Sequence, residues 1–244
     1  FQKECVLVHS TLFDNIHLAN KDAYIANLKA SCNYDEAKIQ SEVYGSWGAV
    51  SGSFFSHVWD KNRIMVADWD GIPTWAEGYS DWNVWMGLDW GTRSPSSLLL
   101  AYRCPIATWW KGKRLGAGSI VLVDEKYTCL TSPDGTRQWG TGDRELTTSK
   151  MAKAARELCQ RNGITIERVA EKHRVADAAI GAEIGGDSGS IGAQLKRHGA
   201  GFVAGPKGKR APGWQLMARM MEAAGDPTAP GLYATPKVES FWAT

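Results

Sequence analysis

The stretch Met86-Gly-Leu-Asp-Trp-Gly-Thr-Arg-Ser-Pro-Ser-Ser-Leu-Leu-Leu-Ala-Tyr-Arg103 constrains the fold more than any other part of the chain. Val84 to Leu88 is a short apolar run with bulky residues, Leu98 to Tyr102 is another, and Gly91 and Pro95 punctuate the tight connection between them. Two such runs joined by so short a link predict a central hairpin, and they leave one carboxylate, Asp89, at the end of its first arm. An unpaired acid inside an apolar run costs several kcal/mol, which a cation, a hydrogen-bond network or solvent at the strand end has to offset. Two readings stay open from this segment alone: Asp89 holds a divalent cation together with a second acid, or its side chain caps the turn.

A second acid stands in the same setting. His173-Arg-Val-Ala-Asp-Ala-Ala-Ile180 again ends a short apolar stretch in a carboxylate, Asp177. From about residue 61 to 130 the pattern predicts strands over Ile64 to Trp69, Val84 to Trp90, Ser97 to Tyr102 and Ser119 to Tyr127. Residues 131 to 145, rich in Gly, Thr, Ser and Asp, read as a loop. A helix is predicted from Thr148 to Asn162, closed by Gly163, with Met151, Ala154, Ala155 and Leu158 on one stripe. Further helices are predicted over Ile191 to Arg197 and Trp214 to Ala224, and near the start over Asp22 to Ala30 and Asp35 to Tyr44, after a strand around Cys5 to His9. Strand and helix alternating around a mixed sheet is the α/β signature. On the strand Ser119 to Tyr127 two neighbouring acids, Asp124 and Glu125, face opposite sides, so one of them can aim inward with Asp89 and Asp177. Glu125 is favoured as the extra ligand.

Composition narrows the chemistry by exclusion. With 28 Lys and Arg against 26 Asp and Glu the net charge is +2, so affinity for a polyanion has to come from local patches. Two patches qualify: Lys111, Lys113 and Arg114 in a glycine-punctuated hairpin tip, and Lys207, Lys209 and Arg210 in a flexible stretch of Gly and Pro. Each can be a solvated turn or linker, or can track a phosphate backbone. The five cysteines, Cys5, Cys32, Cys104, Cys129 and Cys159, contain no Cys-x-x-Cys pair to hold zinc and read as reduced thiols. Twelve tryptophans are core or interface filling, or a platform for sugar rings or bases. No secretory signal and no apolar run of about 18 residues predicts a membrane segment. No Gly-x-x-x-x-Gly-Lys-Ser/Thr loop is there to cradle ATP phosphates.

Gly87-Leu-Asp-Trp-Gly91, followed by Ser-Pro and an aliphatic run, and then Val175-Ala-Asp-Ala-Ala179 resemble the nuclease domain of the large terminase subunit of tailed bacteriophages. The likeness extends upstream through Thr11-Leu-Phe-Asp-Asn15, Tyr24-Ile-Ala-Asn-Leu28 and Tyr44-Gly-Ser-Trp47, which are similar to the segment by which terminases leave their ATPase domain. Downstream it continues through Ser190-Ile-Gly192 and Pro212-Gly-Trp214, so that it spans nearly the whole chain. The resemblance implies a ribonuclease H-like mixed sheet flanked by helices over residues 61–244, preceded by the tail of the ATPase domain and a small helical linker over residues 1–60. It implies a two-ion site for Mg²⁺ or Mn²⁺, hard cations that oxygen ligands select, with Asp89 bridging both ions, Asp177 holding one and Glu125 as the extra ligand. The implied activity is cleavage of concatemeric double-stranded DNA by a viral packaging motor. The implied partners are DNA, a portal protein and a small terminase subunit, in the host cytoplasm at the procapsid and with no membrane involved.

One departure from the family bears on this. Terminase nucleases complete the site with a further acid or histidine on a late helix, and no such phrase precedes Thr244; Asp187 and Asp226 lie among glycines and before proline, where a turn role fits them. The expectation is a piece cut at both ends, with no initiator Met, whose metal site is incomplete. Two alternatives follow: a ribonuclease H-like module that binds DNA or a portal without cutting, and another ribonuclease H-like enzyme such as a transposase or resolvase.

Overall fold

The computed structural model describes residues 13, 17–18, 20–31, 39, 43–44, 54–67, 82–91, 94–110, 112–132, 134–142, 146–181, 189–205 and 210–243. The chain divides into two units, Phe1–His57 and Val58–Thr244. In the first, helix α1 (Lys21–Ser31) starts where the Asn20 side chain accepts a hydrogen bond from the Ala23 N–H at 3.3 Å. Ile25 and Leu28 of α1, one turn apart, pack with Tyr44 around the buried Ile39 and Val43. The strand predicted around Cys5 to His9 and most of the helix predicted over Asp35 to Tyr44 lie outside the described residues.

The second unit holds the sheet. A one-turn helix, α2 (Lys61–Ile64), is followed by β1 (Asn83–Asp89), β2 (Ser97–Arg103), a small hairpin of β3 (Thr108–Trp110) and β4 (Lys113–Leu115), and β5 (Ile120–Tyr127). A second hairpin, β6 (Cys129–Thr131) and β7 (Arg137–Gly142), leads to α3 (Thr148–Arg161) and β8 (Arg174–Ala176). Then come α4 (Ile191–Arg197), β9 (Val203–Ala204), α5 (Arg210–Glu222), β10 (Leu232–Ala234) and α6 (Glu239–Trp242). Six strands form one sheet in the order β10-β5-β2-β1-β8-β9. β1, β2 and β5 run as an antiparallel meander, β8 and β9 continue parallel to β1, and β10 lies parallel to β5 on the other edge. This is the mixed sheet flanked by helices expected from the sequence, with β10 added beside β5.

Period-two alternation gives the sheet two different faces. Val84, Met86 and Leu88 of β1 and Leu98, Leu100 and Tyr102 of β2 are buried, whereas Trp85, Gly87, Asp89, Ser97, Leu99, Ala101 and Arg103 between them are half-buried or exposed. The buried side is covered by α3, whose inward residues are Met151, Ala152, Ala155, Leu158 and Cys159. The stripe thus takes in Ala152 and Cys159, and Ala154 falls on its flank. The Thr147 hydroxyl caps the start of α3, accepting from the Lys150 N–H at 3.2 Å, and Gly163 just past its end takes φ of +73°, a conformation glycine adopts without strain. We call this side the back of the sheet and the other the front.

Three boundaries differ from the sequence reading. Ile64 to Trp69 is not a strand over its described part: the Asp60 carboxylate accepts from the Arg63 N–H and winds Lys61–Ile64 into a helical turn, leaving Met65 as a single bridge to Ala234. The loop expected over 131 to 145 contains β7, because Trp139 packs on Tyr127 and its carbonyl accepts from the Tyr127 hydroxyl at 3.0 Å, while Gly135 at φ +85° makes the turn. Helix α5 begins at Arg210, earlier than the expected Trp214, since Pro212 in the first turn has no N–H to leave unpaired. No helix among the described residues is long and apolar enough to cross a membrane.

Candidate functional site

The parallel register of β1 and β8 pairs Gly87 with Val175 and Leu88 with Ala176, and the Asp177 N–H donates to the Leu88 carbonyl at 3.3 Å. Carried one residue further, this register places Asp177 beside Asp89, about one strand spacing of 4.8 Å away, at the carboxyl ends of two adjacent parallel strands. Both residues are exposed. In the described part of the turn after Asp89, the Gly91 N–H donates to Ser96 Oγ at 3.0 Å, and the Ser96 N–H donates to Thr128 Oγ1 at 2.8 Å. Thr92 and Arg93, next in that turn, lie outside the described residues, so the capping alternative for Asp89 stays open beside the metal-ligand one. Asp177 uses one oxygen locally, its Oδ1 accepting from the Ala179 N–H at 2.7 Å.

Asp89 pairs with Ser97, which pairs with Tyr127, and Gly87 pairs with Leu99, which pairs with Glu125. Residues in register share a face, so Asp89, Glu125 and Tyr127 all stand on the front. Glu125 is two strands from Asp89, about 10 Å across the sheet. Its side chain is occupied: both carboxylate oxygens accept from Ser240 of α6, one from the N–H at 2.6 Å and one from the hydroxyl. Only 7 % exposed, Glu125 has its carboxyl raised by burial, an effect that the Ser240 donors partly oppose. Burial, followed by the nearby Cys129, Glu125 and Asp89, raises the Tyr127 hydroxyl. A cavity of about 390 Å³ opens beside Glu125, edged by Tyr127, Arg137, Arg161, Lys237 and Glu239.

Asp124 goes to the back. Its carboxylate accepts from Arg161 Nε and Nη2, each at 2.6 Å, from Asn162 Nδ2 at 2.6 Å and from the Glu125 N–H at 2.8 Å. Among the described residues no three His, Cys, Asp or Glu side chains converge closely enough to hold an ion. The donor set of Asp89 and Asp177, two exposed carboxylates side by side, suits one hard divalent cation with water completing its shell.

The cationic residues are scattered. Lys111, Lys207 and Lys209 lie outside the described residues, and Arg210 is the first residue of α5. Lys113 and the exposed Arg114 sit on β4, with Arg114 paired across the hairpin to Trp109, which is 61 % exposed. Lys113 Nζ donates to the Asn62 carbonyl. The hairpin leaves the sheet at the Arg103 and Ile120 end, about 20 Å along the strands from Asp89, so the structure does not bring these cations beside the acids. The sequence reading missed Ser240, Glu239, Arg137 and Arg161. A serine in a late four-residue helix carries no signal that it meets an acid on β5, and an arginine at a helix end is ordinary.

No family model matches the chain, and no curated protein matches it. Among solved structures it is similar to the P22 large terminase nuclease domain, at 13% identity over 79% of this chain and 77% of that one, with a TM-score of 0.45. It is similar to the large terminase nuclease from thermophilic phage G20c, at 16% identity over 75% of this chain and 74% of that one, TM-score 0.40. It is similar as well to the large terminase from another thermophilic bacteriophage in complex with ADP, at 14% identity and a TM-score of 0.48, where 96% of this chain spans 46% of that protein.

Proposed function

We propose that this chain is the nuclease part of a viral DNA-packaging terminase, a metal-dependent endonuclease that cuts concatemeric double-stranded DNA. The observation that carries the reading is the placement of Asp89 and Asp177 side by side at the ends of β1 and β8, in the two motifs that resemble the terminase nuclease. Mg²⁺ or Mn²⁺ held there would supply activation of water and stabilisation of the leaving oxygen at a phosphodiester. Asp89 and Asp177 would hold the ion through their carboxylate oxygens. Glu125, on the same face, would contribute a further carboxylate once released from Ser240. Lys113 and Arg114 would meet the duplex about 20 Å from Asp89, roughly six base pairs along its axis and away from the cleaved phosphate. In this reading residues 1–60 are the tail of the ATPase domain and its linker, and a portal protein and a small subunit are the partners.

A second reading, a module that binds DNA or a portal without cutting, is favoured by the occupied carboxylate of Glu125. Plasmid cleavage in Mn²⁺ separates the two, run on the parent and on the Asp89→Asn and Asp177→Asn variants with circular dichroism on all three. Cleavage by the parent that vanishes in both folded variants is the expected result. Cleavage that persists in both would end the enzyme reading at this pair, and a folded parent that binds DNA without cutting it would leave the binding module.

A further inference from the structure

The antiparallel ladder between β2 and β5 changes register in its middle. Arg103, Tyr102 and Ala101 pair with Ile120, Val121 and Leu122, but Leu100 and Leu99 pair with Asp124 and Glu125, so β5 carries one extra residue there. A one-residue bulge reverses the alternation beyond it. Ile120 and Leu122 share the face of Arg103 and Ala101, the front; without the bulge Asp124 would follow them and Glu125 would point to the back. The bulge is what exchanges the two acids.

A bulge disrupts the ladder locally and needs its backbone groups satisfied by other means. β10 pairs with β5 only over Ile120–Leu122, and Thr235 Oγ1 donates to the Val123 carbonyl at 2.7 Å. For the next peptide units the partners are the Asp124 side chain and Arg161 at the end of α3. The Glu125 N–H is taken by Asp124 Oδ1, the Glu125 carbonyl accepts from Arg161 Nη2, and Arg161 grips both oxygens of Asp124 with its fork. Asn162 Nδ2 braces the same carboxylate and the Leu158 carbonyl, at 2.6 and 2.8 Å. The planar guanidinium suits the task because it presents several donors in fixed directions, which a lysine ammonium cannot do.

We propose that Arg161, acting through Asp124, is the positioning residue that locks the bulge and holds Glu125 on the face of Asp89 and Asp177. The proposal rests on the reading of Glu125 as part of that site. It is tested on the Arg161→Lys variant, which keeps a charge near Asp124 but loses the fork, and on Arg161→Met. Two measurements are made: Mn²⁺ affinity by electron paramagnetic resonance, and amide hydrogen exchange by NMR. Both variants are expected to bind Mn²⁺ about 10–100-fold more weakly, the usual cost of removing a group that orients a ligand. Exchange is expected to quicken at the Glu125 and Ser240 amides while Leu100 and Leu158 stay protected. Unchanged exchange at Glu125 and Ser240 in folded variants would overturn the proposal. So would equal loss of protection across the whole sheet, which would make Arg161 a general contact of the fold. Parent Mn²⁺ binding that is absent, or unmoved by Asp89→Asn, would sink the site reading, and the exchange data would then decide the role of Arg161 alone.

Discussion

Removing the cation of the Arg161–Asp124 pair should cost more stability than neutralising the acid, although the same salt bridge is lost. Asp124 is 4 % exposed, whereas the Arg161 side chain is 48 % exposed. In Arg161→Met the carboxylate stays buried with only the Glu125 N–H and the Asn162 amide to balance it. Breaking a buried pair in this way costs about 3–5 kcal/mol, and water entering from the half-exposed arginine side places the expected loss near 3 kcal/mol. In Asp124→Asn the guanidinium turns into solvent, and the remaining cost is that of buried donors short of an acceptor, about 1–2 kcal/mol. Urea unfolding followed by tryptophan fluorescence reads the difference: at a slope of roughly 1–3 kcal/mol per molar, the Arg161→Met midpoint falls by about 1–3 M and the Asp124→Asn midpoint by less. The double variant should be more stable than the sum of the two losses implies, because the second change removes the charge that the first left stranded. An Asp124→Asn loss equal to or larger than that of Arg161→Met, or strict additivity, would refute the reasoning.

Three further outcomes are expected. Burial pushes the Cys159 thiol up to about 11, so at pH 8 roughly one molecule in a thousand carries the thiolate; iodoacetamide labelling read by peptide mass spectrometry should modify Cys129 in the native protein and Cys159 only in urea. Burial raises the Glu125 carboxyl above its ordinary 4.5, so the fold favours its protonated form. Its contribution to stability is therefore full below about pH 4.5 and declines as pH rises through the raised value. The stability of Glu125→Gln relative to the parent should increase from about pH 4 to about pH 7 in urea titrations, and a decrease would contradict the assigned cause. Leu100→Ala, at a fully buried position under α3, should cost about 2–5 kcal/mol, whereas Ile106→Ala at 65 % exposure should stay within about 0.5 kcal/mol, as thermal unfolding would show.

Much of the sheet was legible because its signals are local. The apolar run ending at Asp89 and the one beginning after Pro95 became β1 and β2, although only the pleat of the folded sheet sorted Val84, Met86 and Leu88 from Trp85 and Gly87. The helix expected over Thr148 to Asn162, closed by Gly163, emerged as α3 with its end one residue earlier. Ile191 to Arg197 emerged with the expected ends. Segments whose order depends on distant partners were not legible: β7 stands on the contact of Trp139 with Tyr127, and the two-residue β9 and three-residue β10 are too short to carry a period.

At the site the division is sharper. Sequence alone marked the candidate side chains, because an acid at the end of an apolar run is a local and costly feature; it named Asp89 and Asp177 and restricted the proposed third carboxylate to Asp124 or Glu125. The tertiary structure decided how they stand to one another. Parallel pairing of β8 with β1 put Asp177 beside Asp89, a bulge opposite Leu100 and Ala101 turned Glu125 to their face, and α3 and α6 supplied Arg161 and Ser240 to the two neighbouring acids. A bulge changes the face of every residue beyond it and leaves no mark in the hydrophobic pattern of so apolar a strand, and Ser240 reaches Glu125 only after the chain has gone round the sheet. Local chemistry is written in the order of residues, whereas register and long-range contact are settled by packing.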